Sequence, residues 1–277
     1  MAGGMERQGQ QARVRRALTI AATLVAVAAG APCVVHGQRG QVLAPVPKAC
    51  ETPGLSVIAD SPLPNIAIAL KERKKINILA IGATSASLRG PVSGGYYAVI
   101  ERFLESTFKG LDVEVVHRGV SGELASDAAE RIKTEVALNN ADLVLWQLGT
   151  ADALAQVPVA DFFVTVSHTI AWLKEHKVDV ILVGLRYTRS MVRDLHYQAV
   201  RTALQEIAKD HNVLRLGRYE AEEILERIRR EQGDVPMSQA EVSEASYVCM
   251  AEYLARAIAA GLFVREPSPL KPPEKSP

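Results

Sequence analysis

The chain has no surplus of either charge: 32 lysines and arginines stand against 31 aspartates and glutamates, a formal net charge of +1 over 277 residues. Without a basic excess nothing points to nucleic acid as a partner, and without an acidic one nothing points to a cationic partner. Histidine is scarce. His168, His176, His196 and His211 fall in helical stretches with no common spacing, so no metal centre is supported and no cofactor is indicated. No internal repeat is visible, and cysteine is limited to Cys33, Cys50 and Cys249. What remains is ordinary for a globular protein: 48% hydrophobic and 23% charged residues, enough for one large domain or two small ones with a sizeable core.

The N-terminus has the layout of a secretory signal peptide. Arg13, Arg15 and Arg16 precede an apolar run from Ala17 to Ala29, and Val35-His36-Gly37 places small residues for cleavage before Gln38. The apolar part is short for a full membrane crossing, so the membrane is expected to be involved only through this segment. The chain is expected to be exported, to the periplasm or beyond. Cleavage leaves 28 basic and 30 acidic residues and removes Cys33. The remaining pair, Cys50 and Cys249, then suggests a disulfide, with two separate buried thiols as the other possibility.

The central feature is Ile76-Asn77-Ile78-Leu79-Ala80-Ile81, an apolar run that follows the charged stretch Lys71–Lys75 and ends in the small residues Gly82-Ala83-Thr84-Ser85. A short run bounded this way predicts a buried parallel strand. Residues 38–74 read as an irregular arm, with a short helix from Pro64. Further strands are predicted at 113–116, 142–148 (the most apolar and so central), 178–183 and 212–216. Helices are predicted over 96–107, 124–138, 161–176, 193–210, 220–230 (charged and solvated) and 244–260. Trp146 and Trp172 read as core residues. Residues 75–264 thus form one α/β domain, a three-layer α/β/α sandwich around a parallel sheet of about five strands. The proline-rich tail 265–277 is expected to be disordered.

Three loops then fall at the C-terminal ends of the first three strands: 82–87, 118–122 and 149–152. With Ser238–Glu241 before the last helix, they resemble in order and spacing the four sequence blocks of the SGNH, or GDSL-type, esterase and acylhydrolase superfamily. The resemblance rests on Asn77-Ile78-Leu79-Ala80-Ile81-Gly82, Arg118-Gly119-Val120-Ser121-Gly122-Glu123, Gly149-Thr150-x-Asp152 and Ser243-Glu244-Ala245-x-Tyr247. It implies an ester hydrolase with a serine nucleophile, a histidine base oriented by an aspartate, and an oxyanion held by a glycine N–H and an asparagine amide.

Carried over residue by residue, most of that machinery is substituted. Gly82 fits the first block, but Ala83 stands at its aspartate and Thr84 at the nucleophile, with Ser85 one residue later. Gly122 matches the second block. In the third, Gly149 and Asp152 remain, but Ala151 replaces the amide donor. Ser238 and Glu241 occupy the places of the last aspartate and histidine, and no histidine follows His211. A hydroxyl is a weak nucleophile without a base and a held oxyanion. Losing one oxyanion donor alone typically costs about 3–4 kcal/mol.

Two rescues are considered. His117 at the end of the second strand is a candidate displaced base for Thr84 or Ser85; the alternative is a histidine hydrogen-bonded to a loop. Asp152 and Glu241 are a candidate acid–base pair; the alternative is a structural Asp152 capping its own loop and a surface Glu241. Arg186-Tyr187-Thr188-Arg189 could contact an anionic or sugar ligand, or be an ordinary solvated loop. The expectation is an exported, catalytically inactive or strongly impaired protein that binds a cell-envelope ligand (glycan or acyl ester) or a partner, through Gly82, Thr84, Ser85, Gly122, Gly149 and Asp152. The alternative is a divergent active esterase or acetylesterase on lipid or polysaccharide, and a third reading is a purely structural envelope protein.

Overall fold

The computed structural model describes residues 46–53, 61–83, 95–233 and 239–262, all within the unit Leu43–Pro277. The expected signal segment 1–37 and the tail 265–277 lie outside the described residues. Among those described, five strands form one parallel sheet: β1 (Lys75–Gly82), β2 (Asp112–His117), β3 (Leu143–Gln147), β4 (Asp179–Val183) and β5 (Leu214–Leu216). Their order is β2-β1-β3-β4-β5, with β3 central as expected. The order changes direction between β1 and β3. In open parallel sheets, the crevice beyond the strand C-termini at such a point is where ligands sit.

Helices cover both faces. On one lie α1 (Pro64–Glu72), α2 (Gly95–Thr107), α7 (Arg218–Glu231) and α8 (Gln239–Gly261), and on the other α3 (Ala125–Asn139), α5 (Val159–Glu175) and α6 (Leu195–Asp210). The alternation of side chains along β1 divides the core accordingly. Ile76, Ile78 and Ala80 pack with Ile100, Leu104 and Leu254. Leu79 and Ile81 join Ile132, Ile170 and Leu204. Trp146 is wholly buried in this second core, and Trp172 is partly buried against it.

The free edge of β2 is closed by α2. Val113 N–H donates to Glu105 Oε1 at 3.2 Å and Val115 N–H to Glu101 Oε1 at 3.0 Å, so outward-facing backbone donors on an edge strand are satisfied by side chains. Two features depart from the sequence reading. A short helix, α4 (Thr150–Leu154), follows β3 where only a loop is expected, because five residues carry no legible period. The solvated helix expected over 220–230 is also corrected: α7 buries Arg218, Tyr219, Ala221, Glu222 and Leu225. Its buried charges are paired within the helix, Arg218 Nε donating to Glu222 Oε1 at 2.9 Å.

The N-terminal end of the sheet is tied to the segment that precedes it. Asp179 Oδ2 accepts the N–H groups of Asn65 and Ile66, each at 2.9 Å, while Oδ1 accepts Asn65 Nδ2 at 2.8 Å. A carboxylate 114 residues distant thus satisfies the first-turn donors of α1. Cys50, in a 3-10 turn at Lys48–Cys50, is disulfide-bonded to Cys249 on α8, with Cα atoms 5.2 Å apart. Of the two possibilities left open by the sequence, the bonded pair is the one found. No helix among the described residues is long and apolar enough to cross a membrane.

Two stability predictions follow from this end of the molecule. The cysteines are 199 residues apart, and closing so long a loop constrains the unfolded chain strongly. Cys249→Ser is therefore expected to cost about 2–5 kcal/mol in urea unfolding, and reductant should destabilise the wild type but not the variant. Burial pushes the Asp179 carboxyl up to about 6, against the N–H bonds of Ile66 and Asn65, with neighbouring Asp142 adding to the rise. The folded chain then holds this proton more tightly than the unfolded one. The contribution is full below about pH 4 and is lost as pH rises through about 6. Relative to Asp179→Asn, wild-type stability should fall by roughly 2 kcal/mol over that window in urea melts. A difference that stays flat or rises would mean that the N–H bonds outweigh burial.

Candidate active site

At the C-terminal end of the sheet the first three loops converge on backbone contacts. β1 ends at Gly82 with φ +103°, and a Cβ there would lie 2.1 Å from the Gln147 carbonyl oxygen, so only glycine fits. The next residue uses the same carbonyl: Ala83 N–H donates to Gln147 O at 2.9 Å. Val120 N–H donates to Gly82 O at 3.1 Å. The ends of β1, β2 and β3 are thereby held in register one step beyond the strands.

The third loop turns at Gly149, φ +94°, where a Cβ would lie 2.5 Å from Leu185 Cδ1. Three residues on, Asp152 is 1% exposed and accepts Gly149 N–H at Oδ2, 3.0 Å, and Ala125 N–H at Oδ1, 2.8 Å. Ala125 opens α3, directly after the loop that carries Gly122. One buried carboxylate therefore fixes the second loop to the third. Burial pushes its pKa up, and the N–H bonds from Ala125 and Gly149 pull it down. Below Gly122 the loop is braced by Glu123, buried and paired with Arg131, whose Nη2 donates to Arg118 O at 2.8 Å.

Gly122 has φ +72° with open space where a Cβ would stand. Ala151 is half-buried in α4 and brings no side-chain donor. His117 pairs in register with Ala80, its side chain exposed on the α2 side of β2, with its ring 5.2 Å from that of Tyr97. Thr84, Ser85 and Ser238 lie outside the described residues, as does the side chain of Glu241 in the first turn of α8. The described residues bring together Gly82, Gly122, Gly149, Ala151 and Asp152. That set offers backbone donors and a rigid frame but no imidazole.

The sequence reading missed how the loop after β4 attaches to this frame. Arg186 N–H donates to Thr150 Oγ1 at 3.0 Å, Tyr187 N–H to Glu222 Oε2 at 2.8 Å, and Tyr197 Oη to Arg186 O at 2.6 Å. Nothing in the sequence marks Thr150 or Glu222 for this, since their partners are 36 and 35 residues away. A separate cavity of about 400 Å³, bordered by Leu63, Ile68, Lys177, Asp179 and Val213, lies at the opposite, N-terminal end of the sheet.

This topology, with turns at Gly82, Gly122 and Gly149 gathered at the switch point, defines an SGNH/GDSL hydrolase fold. Comparison with protein families is specific: residues 49–263 match the Non-GDSL lipase-like family, and the chain belongs to it. Among solved structures it is similar to the lipase/acylhydrolase from Enterococcus faecalis, 21% identical with a TM-score of 0.53, covering 69% of this chain and 100% of that one. It is likewise similar to a catalytic mutant of the acetylxylan esterase Axe2 from Geobacillus stearothermophilus (19% identity, TM-score 0.52, 69% and 97% covered). A third is the psychrotrophic esterase EstA from Pseudoalteromonas sp. (13%, 0.51, 66% and 98%). At these identities the likeness establishes the fold. No curated protein sequence matches the chain.

The loop bridge is testable without any substrate. Both Asp152 oxygens accept N–H groups, so Asp152→Asn must turn an amide donor toward one of them. A loss of about 1–3 kcal/mol in urea unfolding is expected. An unchanged midpoint would show that the two loops do not depend on this carboxylate.

Proposed function

We propose that this chain is an exported member of the family that binds a glycan or acyl ligand at the C-terminal crevice and hydrolyses esters weakly or not at all. The observation that carries this reading is Ala151. The frame that would present an amide donor is complete around it, with Gly149 turned and Asp152 engaged, yet the residue in the donor's place has a methyl group. Thr84 at the nucleophile position, Ser238 at the aspartate and Glu241 at the histidine point the same way. The Cys50–Cys249 disulfide supports an oxidising destination, in keeping with the signal-like N-terminus.

One observation favours an active esterase instead. Gly82, Gly122 and Gly149, the backbone positions that the resemblance assigns to the site, all have the positive φ that glycine allows. With hydroxyls at Thr84 and Ser85 following Gly82, that reading predicts a covalent acyl-enzyme.

The two readings separate in one experiment. Protein is recovered from the exported fraction, where intact mass should show a chain beginning at Gln38, and is then given short-chain aryl esters and a fluorophosphonate probe. The expected result is no labelling, and turnover no greater than that of a Thr84→Ala/Ser85→Ala double variant. Labelling or turnover lost in that variant would establish the esterase reading, and a chain retained inside the cell would overturn export.

A further inference from the structure

We propose that the cavity at the N-terminal end of the sheet is a second ligand site, which takes a short fatty carboxylate: an alkyl chain with an anionic head. It lies at the opposite end of the sheet from the crevice, so it does not depend on how the crevice is read.

At about 400 Å³ the cavity falls in the size range of small-molecule sites. Its inner walls are apolar and buried: Leu63 before α1, Val178 and Val180 around the start of β4, and Val213 before β5. Ile68 of α1 also borders it and is 52% exposed, although the same helix buries Ile66 and Ala69. An aliphatic side chain left open on a cavity wall is surface that an alkyl chain would remove from water with a gain.

The walls are fixed before any ligand arrives. Asp179 holds the first turn of α1 against β4, and Leu63 N–H donates to Gly261 O at 3.2 Å. Lys174 Nζ donates to His211 O, joining the ends of α5 and α6. Little is left to be ordered on binding.

The donors at the mouth select the head group. Lys177 and Asn212 both border the cavity and are exposed, and neither side chain is engaged by another group among the described residues. An ammonium and an amide beside one opening suit a carboxylate, which makes the stronger bond because it is charged. Asp179, the acidic residue on the wall, is 6% exposed and spends its oxygens on Asn65 and Ile66. Glu175 and Asp210 adjoin this region in sequence but are exposed and do not line the cavity. The selection asks one charge-assisted hydrogen bond of Lys177 and no surplus of charge in its surroundings.

Hexanoate, hexanol and hexylamine, which share a chain length and differ in the head, provide the test by calorimetric titration of the exported, disulfide-bonded chain. Hexanoate should bind at least about tenfold more tightly than hexanol, as expected for a hydrogen bond between charged groups, and hexylamine most weakly. Lys177→Gln should abolish the preference for hexanoate and Lys177→Arg keep it. Ile68→Ser should weaken hexanoate and hexanol alike. Lys75→Gln removes an ammonium at the same end of the sheet, one paired with Glu114, and should alter neither. Equal affinities, no binding of any probe, or a preference that survives Lys177→Gln would overturn the proposal. Hexanoate binding that ignores Ile68→Ser but is lost in the Thr84→Ala/Ser85→Ala double variant would also overturn it, while supporting ligand binding at the crevice.

Discussion

The geometry of the crevice depends on a single carboxylate that never reaches it. Asp152 is buried and spends both oxygens on backbone donors, Gly149 N–H at the start of α4 and Ala125 N–H at the start of α3. Helix N-termini leave such donors without partners in their own helix, so two of these unsatisfied groups are settled at once. The arrangement requires Gly149 in a left-handed conformation with no side chain, because Leu185 occupies the space a Cβ would need. It also fixes the direction in which the chain leaves Gly122. Burial makes the ionised carboxylate costly and raises its pKa, and the two charge-assisted bonds offset only part of that cost.

This division of labour separates the residues that hold the crevice together from those that the family resemblance assigns to chemistry. Asp152, Gly149 and Gly82 answer to backbone donors and close contacts, which exist whether or not an ester is present. Position 151, to which the resemblance assigns a side-chain donor, carries an alanine without one. Placed in a helix, its alanine is the most favourable residue for the local conformation, so nothing in the fold opposes the change. The structural role of Asp152 thus places no demand on the residue before it.

The same distinction governs what could be read from the chain. Strands buried on both faces announce themselves as apolar runs, and β1 and β3 were legible to within a residue or two. The turns at Gly82 and Gly149 were legible because glycine directly after a strand marks one, whereas the helix that follows Gly149 was not. Side-chain attachments to distant backbone were not. Asp179 holds the start of α1 from 114 residues away, and Asp152 holds α3 across 27. Neither residue type nor spacing marks such pairs. α7 was misjudged for a related reason: its charges suggest solvent, but Arg218 and Glu222 neutralise one another inside the protein.

That buried pair bears on what the crevice rim can do. By itself it is a poor source of stability, since taking two charges out of water costs about what their attraction returns. Its effect is positional. Glu222 reaches beyond Arg218 to the Tyr187 N–H, drawing the loop after β4 onto α7, while Thr150 and Tyr197 hold the preceding residue. Substituting an apolar pair of similar volume would keep the core filled but release the loop from its Glu222 anchor. A rim fastened this closely leaves little to be ordered should any ligand arrive.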